Sequence, residues 1–123
     1  MGAVRVLIVD DEDDMRALLR NLIEIANDGL SVAGEAADGH QAIHCWREAQ
    51  PDVVVLDQRM PGMTGLETAE KILAETPSQM IVLFTAYADD TVKEAADRLG
   101  VRACVPKDDA RKLIFRLREC AAA

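Results

Sequence analysis

Val53-Val54-Val55-Leu56-Asp57 sets four apolar residues directly against an acid. A strand with one wet face alternates apolar and polar positions. This run does not alternate, so both of its faces must be covered. The pattern occurs twice more: Val6-Leu7-Ile8-Val9 leads into Asp10-Asp11, and Met80-Ile81-Val82-Leu83-Phe84 leads into Thr85. Three such runs predict the middle of a parallel sheet packed between helices. Ser31 to Ala36 and Arg102 to Val105 are weaker runs, as edge strands are. Pro106, which lacks a ladder donor, suits an edge.

The intervening segments have helical period. Met15, Leu18, Leu19, Leu22 and Ile23 fall on one stripe, as do Val92, Ala95, Ala96 and Leu99. Ala110, Leu113, Ile114, Leu117 and Ala121 repeat it, and Ala42, Ile43, Trp46 and Ala49 form a shorter version. Thr64 with Glu67 reads as a capping box, and Pro77 stops the helix it opens. Gly39, Gly62, Gly65 and Gly100 mark turns or helix ends. Five βα units therefore predict an α/β fold of one domain, residues 1–123. The expected architecture is a three-layer αβα sandwich, (βα)5 and flavodoxin-like, with right-handed crossovers and a parallel sheet in the order 2-1-3-4-5.

Composition narrows the function classes. The formal charge of −8 disfavours direct nucleic-acid binding, because an acidic surface repels phosphates. Cys45, Cys104 and Cys120 are odd in number and lack metal-ligand spacing, which predicts reduced thiols in the cytoplasm. Met1-Gly2-Ala3 runs straight into a strand with no signal peptide, and no apolar run is long enough to span a membrane. Cys120-Ala121-Ala122-Ala123 matches the C-a-a-X prenylation pattern, but four residues match easily, and an alanine-rich helix end is the expected reading.

In doubly wound sheets ligands bind beyond the carboxyl ends of the strands, at the topological switch point. There the sequence places Asp10, Asp11, Asp57, Thr85 and Lys107. Clustered carboxylates favour a hard divalent cation, and Mg²⁺ keeps positions free for a phosphate oxygen. A carboxylate beside it can attack phosphorus to form an acyl phosphate. An ammonium and a hydroxyl are then placed to stabilise the transferring group.

Four segments in order, Leu7-Ile8-Val9-Asp10-Asp11-Glu12, Leu56 to Glu67, Phe84-Thr85-Ala86 and Pro106-Lys107, resemble the receiver domain of two-component response regulators over nearly the whole chain. The resemblance implies a phosphoacceptor switch rather than a turnover enzyme. Asp57 would take the phosphoryl group from a sensor histidine kinase. Asp11 would bind Mg²⁺ directly, with Mn²⁺ as a substitute, and Asp10 mostly through water. Asp57 and the backbone carbonyl of Arg59 would complete the shell. Lys107 would pair with the phosphate and Thr85 would be the switch hydroxyl. The face of the fourth helix, fifth strand and fifth helix would then act on an output domain or effector, in cis or in trans, or on a second copy as a homodimer. No membrane or nucleic-acid partner is implied for this domain.

Simpler readings compete at several positions. Glu12, Asp13 and Asp14 read as a solvated run at a helix N-terminus. Taken singly, Asp57 reads as a turn former, Thr85 as a cap and Lys107 as a surface lysine. An EF-hand is excluded, since its glycine and its final glutamate are missing. A haloacid-dehalogenase-like phosphatase would need Asp two positions after Asp10, where Glu12 stands, and would need a cap domain. His40 and His44 have no acidic partner at useful spacing and read as surface or packing residues. Trp46 is expected at the sheet edge. Arg111, Lys112, Arg116 and Arg118 make one basic helix face, solvated or matched to a partner.

Two departures from the family pattern bear on the readout. Cys104 stands where many receivers carry an aromatic ring that reports phosphorylation, which leaves Tyr87 as the nearest ring for that task. Pro106 precedes Lys107 rather than following it. The Lys107-Asp108 ending resembles the subgroup whose receivers drive LuxR-type helix-turn-helix domains. Arg59 and Tyr87 flank the acceptor, and their bulk predicts slow loss of the phosphoryl group.

Overall fold

The computed structural model describes residues 3–26 and 29–122. Strands and helices alternate as β1 (Val4–Val9), α1 (Asp13–Ala26), β2 (Leu30–Ala36), α2 (Gly39–Ala49), β3 (Val53–Leu56), α3 (Gly65–Glu75), β4 (Met80–Thr85), α4 (Asp90–Leu99), β5 (Ala103–Pro106) and α5 (Ala110–Ala122). All strand pairs are parallel and the order is β2-β1-β3-β4-β5, as the sequence predicts. Met1, Gly2 and Ala123, and with Ala123 the end of the C-a-a-X pattern, lie outside the described residues. Cys120 itself is buried.

The unbroken apolar runs are explained by two cores. Successive residues of a strand point to opposite faces. Leu7, Val9, Leu56, Ile81 and Leu83 join one buried cluster with Ala42, Trp46, Ala69 and Ile72 from α2 and α3. Val6, Ile8, Val55, Val82 and Phe84 join the other with Leu19, Ile23, Leu113 and Leu117 from α1 and α5. Truncating one such residue, as in Leu83→Ala, costs about 2–5 kcal/mol. That is a large share of the roughly 5–15 kcal/mol by which domains are stable.

The register of β2 against β1 slips once. Val6 pairs with Val32, but Leu7 pairs with Gly34, leaving Ala33 as an extra residue. The bulge changes the face that β2 presents. Leu30 and Val32 pack with the α1–α5 core, whereas Ala36 packs with the α2–α3 core. The slip also sets Glu35 opposite Ile8, a residue of the α1–α5 core. There Glu35 meets Arg20 Nη1 at 2.5 Å and Arg16 Nε at 3.6 Å. A continuous alternation would have turned it to the other side.

Helix starts follow local capping chemistry. The Asp38 side chain accepts from Gln41 N–H and the Asp89 side chain from Val92 N–H. The expected capping box is present: Glu67 N–H donates to Thr64 Oγ1 (3.1 Å) and Thr64 N–H to Glu67 Oε1 (3.0 Å).

Two expectations need correction. Trp46 is not at the sheet edge. It is buried in the α2–α3 core, and its Nε1–H donates to Gln79 Oε1 at 2.8 Å. The reason is that α2 packs against α3 as well as β2 and β1, which turns its apolar stripe inward. His44 does have an acidic partner: Glu48, one helical turn on, lies 3.1 Å from Nε2.

Candidate functional site

The ladder runs on past the strands into the acids. Asp10 N–H donates to Ala36 O (3.1 Å) and Asp57 N–H to Val9 O (3.0 Å), which fixes both residues at the rim between β1 and β3. Asp10, Asp57 and Thr85 are buried polar residues, and Lys107 follows β5 with its side chain 12% exposed. Lys107 N–H donates to Thr85 O at 3.1 Å. Its ammonium then reaches Asp10 Oδ2 (2.8 Å), Asp57 Oδ2 (3.0 Å) and Glu12 Oε1 (3.2 Å). The second oxygens accept backbone amides: Asp10 Oδ1 from Glu12 N–H (2.9 Å) and Asp57 Oδ1 from Gln58 N–H (2.8 Å).

Burial opposes the charge on Asp10 and on Lys107. It pushes the Asp10 carboxyl up from its ordinary value, and the Lys107 ammonium and the Glu12 amide only partly offset it. For Lys107 the balance reverses. Burial alone would lower it, but hydrogen bonds and charge from Asp10 and Asp57 outweigh that and hold it well above its usual value. Lys107 is therefore an ammonium at neutral pH. Three carboxylates share it, so the rim keeps a surplus of negative charge.

That surplus is matched to a hard cation. One carboxylate oxygen each from Asp10, Asp11 and Glu12 lies within 4.8 Å of the others. An all-oxygen anionic set of this size fits a hard divalent cation. Asp57 belongs to the same cluster through Lys107, and Arg59 stands two residues beyond it. Glu12, expected to be merely solvated, is thus part of the site. The acid run Asp10 to Asp14 pointed to it, but only its reach to Lys107 singles it out.

The loop after β3 is held to α3. Gly65 N–H donates to Gln58 O (2.9 Å) and Leu66 N–H to Gln58 Oε1 (2.8 Å). A Cβ on Gly65 would fall 2.2 Å from the Asp57 carbonyl oxygen, so only glycine permits this approach. On the other side Arg16 Nη1 donates to the Asp10 carbonyl (2.6 Å) and the same guanidinium pairs with Asp13 and Glu35. Sequence reading missed Arg16, because the β2 bulge that presents Glu35 to it leaves no pattern.

Thr85 Oγ1 accepts from Tyr87 N–H at 3.2 Å. Tyr87 is 45% exposed, and the Arg59 guanidinium stacks over its ring, 3.8 Å from the centroid. The two residues expected to flank the acceptor are therefore in contact with each other. Cys104 pairs with Leu83 in register and is half-buried. Burial pushes its thiol up, with Lys93 pulling the other way, so it is no thiolate nucleophile at neutral pH. Among the described residues no helix is long and apolar enough to cross a membrane.

Known proteins resemble the chain in sequence and in fold. Residues 6–118 match the family described as "Response regulator receiver domain". The chain is 35% identical over 103 residues to the chemotaxis protein CheY of Thermotoga maritima, covering 84% of each. It is 35% identical over 122 residues to the nitrate/nitrite response regulator protein NarL of Escherichia coli, covering 95% of this chain and 54% of NarL. It spans 23% of a protein-glutamate methylesterase of Hahella chejuensis that it matches at 42% identity. Among solved structures, the receiver of the putative response regulator NarL from Mycobacterium tuberculosis superposes with a TM-score of 0.91 at 27% identity, covering 100% of this chain and 99% of that one. A LuxR-family response regulator from Aurantimonas superposes at 0.88 with 31% identity, covering 98% and 87%.

Proposed function

Because the chain belongs to the response regulator receiver domains, we propose that it is a phosphoacceptor switch in which Asp57 is phosphorylated by a sensor histidine kinase. The observation that carries this is the Lys107 ammonium, held between the buried Asp57 and Asp10 at the ends of two central strands. An Asp57 carboxylate oxygen attacks phosphorus, the P–N bond to the kinase imidazole breaks, and the imidazole leaves with the bonding pair and takes up a proton. The product is an acyl phosphate on Asp57. Lys107 exchanges its contact with the Asp57 carboxylate for a phosphoryl oxygen, and Thr85 Oγ1–H turns to donate to another. Asp10, Asp11, Asp57 and the Arg59 carbonyl would hold Mg²⁺, or Mn²⁺ in its place. When bound, that ion neutralises charge on the phosphoryl oxygens.

On this reading the domain is modified rather than turning over a substrate, and it works in the cytoplasm. The face made by α4, β5 and α5 passes the change to an output domain or effector, in cis or in trans, or to a second copy of the chain. LuxR-family neighbours make a DNA-binding output the favoured partner. The bulk of Arg59 and Tyr87 beside the acceptor, stacked or apart, would slow attack of water on the acyl phosphate. An unchanged phosphate half-life in Arg59→Ala/Tyr87→Ala would remove that role.

Incubation with Mg²⁺ and acetyl phosphate, followed by intact mass, tests the central claim. One added phosphoryl group is expected in the natural chain and none in Asp57→Asn. An equal gain in both, or in neither, overturns the assignment.

A further inference from the structure

The Arg59–Tyr87 stack joins the loops that leave β3 and β4, and both ends of it are tied to groups the proposed reaction disturbs. Arg59 lies two residues beyond Asp57, and Tyr87 lies two beyond Thr85. Tyr87 is also bound by its own amide to the Thr85 hydroxyl. The stack is therefore a second connection across the mouth of the site, parallel to the buried one through Lys107. On β5, Cys104 offers only a small thiol, half-buried opposite Leu83, so no ring there can swing.

Consider the two contacts when Asp57 gains a doubly charged group. The Thr85 hydroxyl turns toward a phosphoryl oxygen, and Tyr87 N–H loses the oxygen it was donating to. The Arg59 guanidinium then has two choices. An exposed cation–π contact is weaker than a charge-assisted hydrogen bond to a phosphoryl oxygen, which a planar guanidinium can also bind in bidentate fashion. Arg59 should therefore leave the ring for the phosphoryl group.

We propose that the Arg59–Tyr87 stack is a latch of the unphosphorylated state, parted when Arg59 turns to the phosphoryl group, and that the freed Tyr87 ring is this chain's reporting element in place of an aromatic on β5. This rests on Asp57 being the acceptor. In the latched state the guanidinium covers one face of the ring of a residue that is 45% exposed. Once unlatched, that face becomes available at the start of the α4 side, where a partner can read it.

Tyr87 is the one tyrosine of the chain, so labelling with 3-fluorotyrosine gives a single ¹⁹F resonance from this ring. Spectra are taken before and after acetyl phosphate with Mg²⁺, and intact mass is recorded on the same samples. The resonance is expected to move in step with the added phosphoryl group. Arg59→Ala, which keeps the backbone carbonyl, is expected to resonate near the phosphorylated position before any donor is added. Arg59→Lys, which keeps the charge but not the planar stack, is expected to fall in between. Phosphorylation seen by mass with an unmoved resonance overturns the latch but not the acceptor. So does an Arg59→Ala spectrum that matches the unmodified natural chain. No gain in mass in the natural chain overturns the acceptor assignment and the latch with it.

Discussion

The two ends of the sheet carry polar networks of opposite design. At the amino end of the strands, Gln79 accepts from Trp46 Nε1–H and donates to the carbonyls of Asp52 (3.1 Å) and Met80 (3.1 Å). Arg5 N–H donates to Asp52 Oδ2 (2.8 Å), and its guanidinium donates to the carbonyls of Ala49 and Gln50. One amide side chain there staples helix, loop and strand. At the carboxyl end, Asp10, Asp57 and Glu12 compete for a single ammonium. In the first network the donors just named are matched to acceptors within the fold. The second is short of positive charge, and it is improved by a cation or by covalent change. Stability and exchangeability are thus placed at opposite poles of the same sheet.

Substitutions at each pole can break or sharpen that contrast. The largest effect on activity is expected from Lys107→Ala. Loss of the ammonium should slow phosphoryl incorporation from acetyl phosphate by about 10²–10³-fold, the usual cost of deleting one preorganised charge donor. A rate within threefold of the natural chain would mean that the carboxyl pole does not depend on Lys107. Next is Gln79→Leu at the other pole. It leaves the buried Trp46 Nε1–H without an acceptor and should cost about 1–3 kcal/mol in urea unfolding. Its phosphorylation rate should be unaltered, and a slowed rate would show that the poles are coupled. Third, Mg²⁺ at ten times its dissociation constant should raise stability by about 1.4 kcal/mol. Asp11→Asn should lose that gain while Gln79→Leu keeps it, read as a shift in thermal midpoint. The smallest effect belongs to Glu12→Gln. Its partly exposed pair with Lys107 should contribute less than about 1 kcal/mol, so isothermal titration should show only a modest weakening of Mg²⁺ binding.

Legibility followed the same division. The three apolar runs located the central strands because burial on both faces leaves no polar position, and the acids that end them marked the rim. Strand limits moved by a residue: β4 takes in Thr85, and β5 runs from Ala103 to Pro106. What could not be read depended on distant contacts. Glu12 looked like any acid in a helix's first turn until Lys107, nearly a hundred residues later, was seen to reach it. Trp46 had the period of a helix stripe, but nothing in that period said the stripe would face Gln79. Bulk near the acceptor was visible at Arg59 and Tyr87, while their mutual stacking was not, since it needs two loops brought side by side.

Ala33 carries a last consequence. A strand is counted in twos, and this extra residue makes β2 odd where its neighbour is even. Glu35 faces α1 only because of that miscount, Arg16 is drawn in by Glu35, and Arg16 grips the carbonyl of Asp10. The length of an edge strand is therefore a message delivered to the acidic rim. Losing one residue between Val32 and Gly34 would keep every side chain of the site yet change the arithmetic that aims them. Inserting one in the turn before Leu30 would leave that arithmetic intact.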